Sequence, residues 1–187
     1  EGWGHYELVV GGLNGGHSGI DIHRHRANAN KLLARTLSAL NKRSECRIVS
    51  LDGGSRHNAI ARDARAVVAC AADRDGVKAV VAEMAKTFRE EYGENEADLA
   101  LGAGPAAAAS VGLTPQASQQ VIALLLALPH GVAGMSPSLS GLVETSSNLA
   151  ITSVKEGRLR ILTSQRSAVV SRLAEITAHF QTADCGS

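Results

Sequence analysis

The sequence predicts an α+β fold: one antiparallel sheet with helices on a single face, built as two tandem ferredoxin-like strand-helix-strand-strand-helix units. Three observations carry this. Period-two stretches alternate with apolar stripes at three- and four-residue spacing. Their order occurs twice along the 187 residues. Within each unit the two successive strands are joined by a glycine-bearing connection rather than by a helix. The chain therefore reads as one domain, residues 1–187, with pseudo-repeat halves at about 1–95 and 96–187.

The elements follow in order. "HYELVVGGL" sets Tyr6, Leu8 and Val10 against Glu7 and Val9, the alternation of a strand. From Asn28 the pattern turns helical, with Ala29, Leu32, Leu33, Leu37 and Leu40 on one stripe between lysines and arginines. "RIVSLD" and "ARAVVACAA" are strands on either side of "GGSRHNAIARD". Asp73 or Asp75 caps the next helix, whose stripe is Val77, Val80, Val81, Met84 and Phe88, ending near Gly93. "ADLALGAG" opens the second unit as a strand, and Thr114 followed by Pro115 starts a helix that runs to Leu128. "GLVETSSNLAITSV" and "RLRILTS" form a hairpin around Lys155, Glu156 and Gly157, and Val170, Leu173, Ile176 and Phe180 mark a last helix.

Bulk properties exclude several function classes. Apolar residues make up 44% of the chain, enough for a buried core, and the formal charge is +1, so no global field favours nucleic acid or an anionic membrane. No apolar run reaches membrane-spanning length; the longest compact one is "VIALLLAL". Cys46, Cys70 and Cys185 are odd in number and far apart with no CxxC, which reads as reduced thiols in a cytoplasmic protein rather than a disulfide framework. No Lys, Arg, Asp or Glu occurs between Leu99 and Val143, so that stretch is expected to be buried or to lie against another protein surface. The chain starts at Glu1 rather than Met and reads as a piece of a longer protein.

Chemistry concentrates in a few places. Gly102-x-Gly104-x-x-Ala107 imitates a dinucleotide fingerprint but lacks the acidic residue about twenty positions on. His23, Arg24, His25 and Arg26 could hold a metal or phosphate, yet only Asp21 is nearby as a further ligand. Between Arg24 and Arg47 seven basic residues face one acid, which suits phosphates or simply a solvated helix face, and 3% aromatic content leaves few base-stacking platforms. His17 stands among Gly15, Gly16 and Gly19, where it can offer an imidazole N–H to an oxyanion or merely satisfy a turn. Asn58 in "RHNAIAR" and Arg166 in "TSQRSAV" are similarly open between turn or solvent roles and substrate contacts; the guanidinium fork suits a carboxylate.

"GGLNGGHSGIDIHRHRANANKLLARTL", "DGGSRHNAIARDA" and "SGLVETSSNLAI", in that order and spacing, resemble the lid domain of the aminoacylhistidine (Xaa-His) dipeptidases. These are a branch of the zinc exopeptidase family that includes carnosinase and glutamate carboxypeptidases. The resemblance covers essentially the whole chain. It implies a two-domain metallo-dipeptidase whose catalytic domain, not this segment, holds two zinc ions, and it implies no metal site here. It also implies that the lid carries the dimer contact, through sheet edge and helix surfaces. His17 matches the lid histidine that meets the scissile carbonyl oxygen, Asn58 the asparagine of the glycine-led turn, and Arg166 the arginine that holds the substrate's terminal carboxylate.

The chain departs from the family's usual pattern at Ile20, Asp21, His25 and Ala27, often Gly, Glu, Gly and Gly, and at Ala61, usually Pro. The reading is thus the lid and dimerisation domain of a cytoplasmic, homodimeric zinc dipeptidase acting on Xaa-His or similar short peptides. Its partners would be its own catalytic domain and a dipeptide, with neither nucleic acid nor membrane, and the isolated chain should be inactive. The alternatives are a free-standing ferredoxin-like binding module with a basic face, or the lid of a related N-acyl amino acid or glutamate-conjugate hydrolase.

Overall fold

Strand β1 (Gly4–Gly11) turns Tyr6, Leu8 and Val10 inward, as its alternation requires. The computed structural model describes residues 3–109 and 111–181. After β1, a glycine-rich connection carries the two-residue strand β2 (Gly16–His17) and a 3-10 turn at Ile22–Arg24 before helix α1 (Ala29–Arg43). Strands β3 (Cys46–Gly53) and β5 (Ala64–Cys70) flank the two-residue β4 (Ala59–Ile60), and α2 (Arg74–Tyr92) follows with Asp73 as its cap. Then come β6 (Ala100–Pro105), α3 (Pro115–Ala127), β7 (Gly131–Met135), β8 (Val143–Lys155), β9 (Arg158–Ser167) and α4 (Val170–Gln181). Thr114 caps α3 through the Ala117 N–H, the role its place before Pro115 predicts.

All pairings in the main sheet are antiparallel, in the order β6-β1-β5-β3-β8, with β7 and β9 also on β8. The 13-residue β8 is long enough to serve three neighbours. Its C-terminal part pairs with β3, its N-terminal part with β7, and its other edge with β9 throughout. The α+β architecture is as the sequence predicts, with one change of partners. β6, read as the first strand of the second unit, lies on β1 and completes the first unit's sheet, while the unforeseen β7 takes the place beside β8. Helix α1 packs against α2 and α3, and its leucines Leu32, Leu33, Leu37 and Leu40 are buried with Leu8, Val10, Leu51, Phe88 and Val154 in one core, which Phe180 of α4 also reaches.

The stretch read as buried or covered splits in two. Helix α3 buries Val121, Ile122 and Leu125, whereas β6 is an edge strand on which a Cβ at Gly102 or Gly104 would meet nothing.

Cys46 and Cys70 are a correction: they form a disulfide between β3 and β5. Their separation of 24 residues hides the fact that the strand register sets them directly opposite, with Cα atoms 4.2 Å apart. The thiol argument for a reducing compartment therefore falls away. Cys185 lies outside the described residues.

Candidate functional site

The connection from Gly12 to Asn28 is irregular in path but held at every stage. The buried Glu96 carboxylate accepts the Asn14 N–H at 2.6 Å and the Ala27 N–H at 3.0 Å, fixing both ends of the segment to the turn after α2. Arg62 Nε donates to Leu13 O and Arg26 Nη1 to Gly15 O. Gly16, at φ +132, is in a region that side chains rarely adopt and lets β2 pair with β4, Gly16 against Ile60 and His17 against Ala59.

Asp21 fixes the turn that follows His17. Its Oδ2 accepts the His17 N–H at 2.9 Å, while the His17 carbonyl accepts from Ile20 and Asp21 N–H. That backbone hydrogen bond, helped by Arg26 and Arg24, outweighs the opposing effect of burial and holds the Asp21 carboxyl below the usual range. Arg24 Nε stands 3.2 Å and Arg26 Nη1 3.7 Å from the carboxylate. The arginines of the crowded His23 to Arg26 run thus serve the turn itself.

The remaining arginines of the basic stretch are matched in the same way. Arg35 makes a two-pronged bond to Glu91 and lies over Phe88, Arg43 pairs with Glu83, and Arg47 pairs with Glu45 and covers Trp3. With its arginines engaged internally, this face has less charge free for phosphates than its basic residues alone suggest.

Gly19 N–H donates to His17 Nδ1 at 3.1 Å. With Nδ1 accepting, the neutral ring carries its hydrogen on Nε2, which is left as a donor. Asn58, in the connection before β4, accepts the Ser18 N–H on its carbonyl at 2.8 Å, so it sits beside His17 across the small sheet. Arg166 comes from β9, opposite Ser146 of β8. A Cβ built on Gly19 would be 3.0 Å from Arg166 Cζ and 3.1 Å from His17 Cε1, so imidazole and guanidinium converge on one point that only glycine leaves open. All three residues singled out in the sequence are therefore brought into one region, although Arg166 is 149 positions from His17 in the chain. The region is an open surface: His17 is half-buried and Arg166 exposed. A cleft of about 520 Å³ lies beside β2 and β4, lined by Val9, Gly16, Asp52, Ala59 and Arg65, and none of the three residues is in its wall.

Behind this surface, the segment Asn28 to Lys31 joins the two halves. The Asn28 side chain caps α1 through the Asn30 and Lys31 N–H groups and donates to Leu149 O at 2.9 Å. Asn30 donates to Leu149 O and Ala150 O and accepts from Thr152 Oγ1. Lys31 Nζ donates to Leu125, Leu126 and Leu128 carbonyls, closing the C-terminus of α3.

His130, which nothing in the motif search singled out, belongs to this junction. Its Nδ1 is 3.3 Å from Asn28 Nδ2 and accepts the Leu149 N–H at 3.4 Å. Burial, and secondly the Lys31 ammonium, push its pKa down to about 4, so it is neutral. The signal was available: His130 is the one titratable side chain in the uncharged 99–143 stretch. On β8, Ser146, Ser147 and Asn148 are buried polar residues, and Asn148 Nδ2 donates to Ala59 O at 2.8 Å. Ser18 Oγ, Ser147 Oγ, Asn148 Oδ1 and Gln165 Nε2 are buried side-chain atoms with no hydrogen-bond partner.

Comparison with known proteins places this arrangement. Residues 10–96 match the family described as peptidase dimerisation domain. The structure superposes on aminoacylhistidine dipeptidase from Vibrio alginolyticus with a TM-score of 0.93 and 33% identity, over 97% of this chain and 37% of that one. Residues 10–96 thus carry the pattern of the peptidase dimerisation domain family. The chain is also 36% identical over 167 residues to the cytosol non-specific dipeptidase of Escherichia coli (strain K12), covering 89% of this chain and 34% of that protein. The chain thus spans about a third of the length of either relative. Both relatives are dipeptidases by name.

Proposed function

We propose that this chain is the lid and dimerisation domain of a cytoplasmic zinc dipeptidase that hydrolyses Xaa-His or similar short peptides. His17 donates from Nε2 to the scissile carbonyl oxygen as it gains negative charge, and Arg166 holds the substrate's terminal carboxylate, with Asn58 lining the same ground. The observation that carries this reading is the convergence of imidazole and guanidinium over Gly19. In a dipeptide only one residue, roughly 3.5 Å of chain, separates the scissile bond from the terminal carboxylate. Two donors set this close together suit that length and would suit a longer peptide poorly.

The openness of the site supports a lid. A donor on an exposed surface competes with water, and gains strength only when a second body covers it. This reading assigns the zinc to the parent's catalytic domain; among the described residues no three of His, Cys, Asp and Glu are grouped to hold a metal ion. The chain's own groups bind and orient substrate and meet developing charge.

The test is β-alanyl-histidine hydrolysis by the full parent protein supplied with zinc. His17→Ala should lower kcat by on the order of a hundredfold while the protein stays folded. Undiminished turnover in that variant would reduce His17 to a turn residue and remove the reading's centre.

A further inference from the structure

Resting on that reading, we propose that Asn148 is a positioning residue that sets the spacing between His17 and Arg166, and through it the peptide length the site accepts. The two groups ride on different parts of the fold. His17 is on β2, whose partner β4 is also only two residues long, so the pairing within this small sheet contributes little to fixing its place relative to β8. Arg166 is on β9, zipped along the length of β8. The side-chain bond from β8 to this small sheet is Asn148 Nδ2 to Ala59 O, and Ala59 is the residue directly opposite His17.

The same strand completes the path. Asn148 and Ser146 are two apart on β8 and share a face, and Ser146 is directly opposite Arg166. His17, Ala59, Asn148, Ser146 and Arg166 thus form a continuous series of paired positions. Asn148 is 1% exposed and its Oδ1 has no partner. A leucine has the same branched shape and no amide oxygen to leave unpaired, so what the amide contributes there is the donated bond to Ala59 O. Asn28 and Asn30 also join β8 to the first half, but at the start of α1 and to the carbonyls of Leu149 and Ala150, away from the strand that carries His17.

The experiment measures kcat and KM of the full parent protein on a histidine-terminated dipeptide and on the tripeptide one residue longer, with Asn148→Leu against wild type. Loss of the tether should cut kcat/KM on the dipeptide by roughly ten- to a hundredfold, as about an ångström of misplacement does. The tripeptide should be affected much less, so the dipeptide-to-tripeptide ratio falls at least tenfold. Equal losses on both peptides, or an unchanged ratio, would show Asn148 to be a packing residue only and overturn the proposal. If Asn148→Leu does not fold, Asn148→Gln, which keeps the donor on a longer stem, decides by the same ratio. His17→Ala and Arg166→Ala run alongside: if neither lowers dipeptide turnover, the reading of the site itself has failed, whereas losses there with an unchanged ratio in the Asn148 variants defeat the tether alone.

Discussion

A single methyl group at Gly19 would crowd the two side chains that meet over it. Its Cβ would press at 3.0 to 3.1 Å on both Arg166 and His17, one of which would have to move. Gly19→Ala should therefore raise KM for the dipeptide several-fold in the parent enzyme, with little change in melting temperature because Gly19 is exposed; steady-state kinetics beside a thermal melt check this, and an unaltered KM would count against the shared site. His130 makes a second prediction, about acid. Its proton is bound near pH 6.5 in the unfolded chain and only near 4 in the folded one. Stability is untouched above about pH 7 and falls as pH drops through that window, by roughly 3 kcal/mol at most. His130→Gln, which keeps an acceptor but does not titrate, should narrow the difference between urea midpoints at pH 7.5 and pH 4.5; an equal difference would show that the acid sensitivity arises elsewhere. What was legible at this scale was local. Glycines around His17 marked a tight turn and left its imidazole open between an oxyanion contact and a turn role, whereas the nearness of Arg166 depends on pairing across the whole chain and has no trace in spacing.

Elements were legible where their pattern was strong and where a cap or proline marked an end. Asn28, Asp73 and Thr114 each accept the backbone N–H that their positions predict. Strand β7 left no such mark. "GVAGM" has two glycines in five residues and low strand propensity, and it is extended because the N-terminal half of β8 has an edge that β3 is too short to cover. β2 and β4 were invisible for the same reason, being strands only in each other's presence. The disulfide belongs here too: Cys46 and Cys70 meet because β3 and β5 are in one register, and register is a property of pairs of elements.

At the scale of the molecule, the sheet ends on the first-unit side in a strand that its own sequence leaves unguarded. β6 pairs with β1 alone, carries no charge, and shows bare backbone at Gly102 and Gly104. β9, by contrast, carries Arg158, Arg160 and Arg166. An uncharged strand can pair antiparallel with its own copy across a twofold axis without setting like charges together. The homodimer of the proposed function should form through this edge. Light scattering of the chain should give the mass of a dimer, and Gly102→Lys should give a monomer with unchanged circular dichroism; a dimer that survives the lysine would place the contact elsewhere.

The place of β8 has a consequence for how the protein comes into being. Synthesis delivers the His17 loop well before Arg166, and chains begin folding from the N-terminal side as they emerge. Until β8 and β9 have been made and laid against β3, the imidazole has no guanidinium to face and Ala59 no amide to hold it. A ribosome-bound intermediate can bury most of the first half's core and still present half a recognition surface. β8 and β9 therefore act as a completion signal for the site, and a chain that stops short of Arg166 is left with an ordinary folded half and nothing with which to grip a carboxylate.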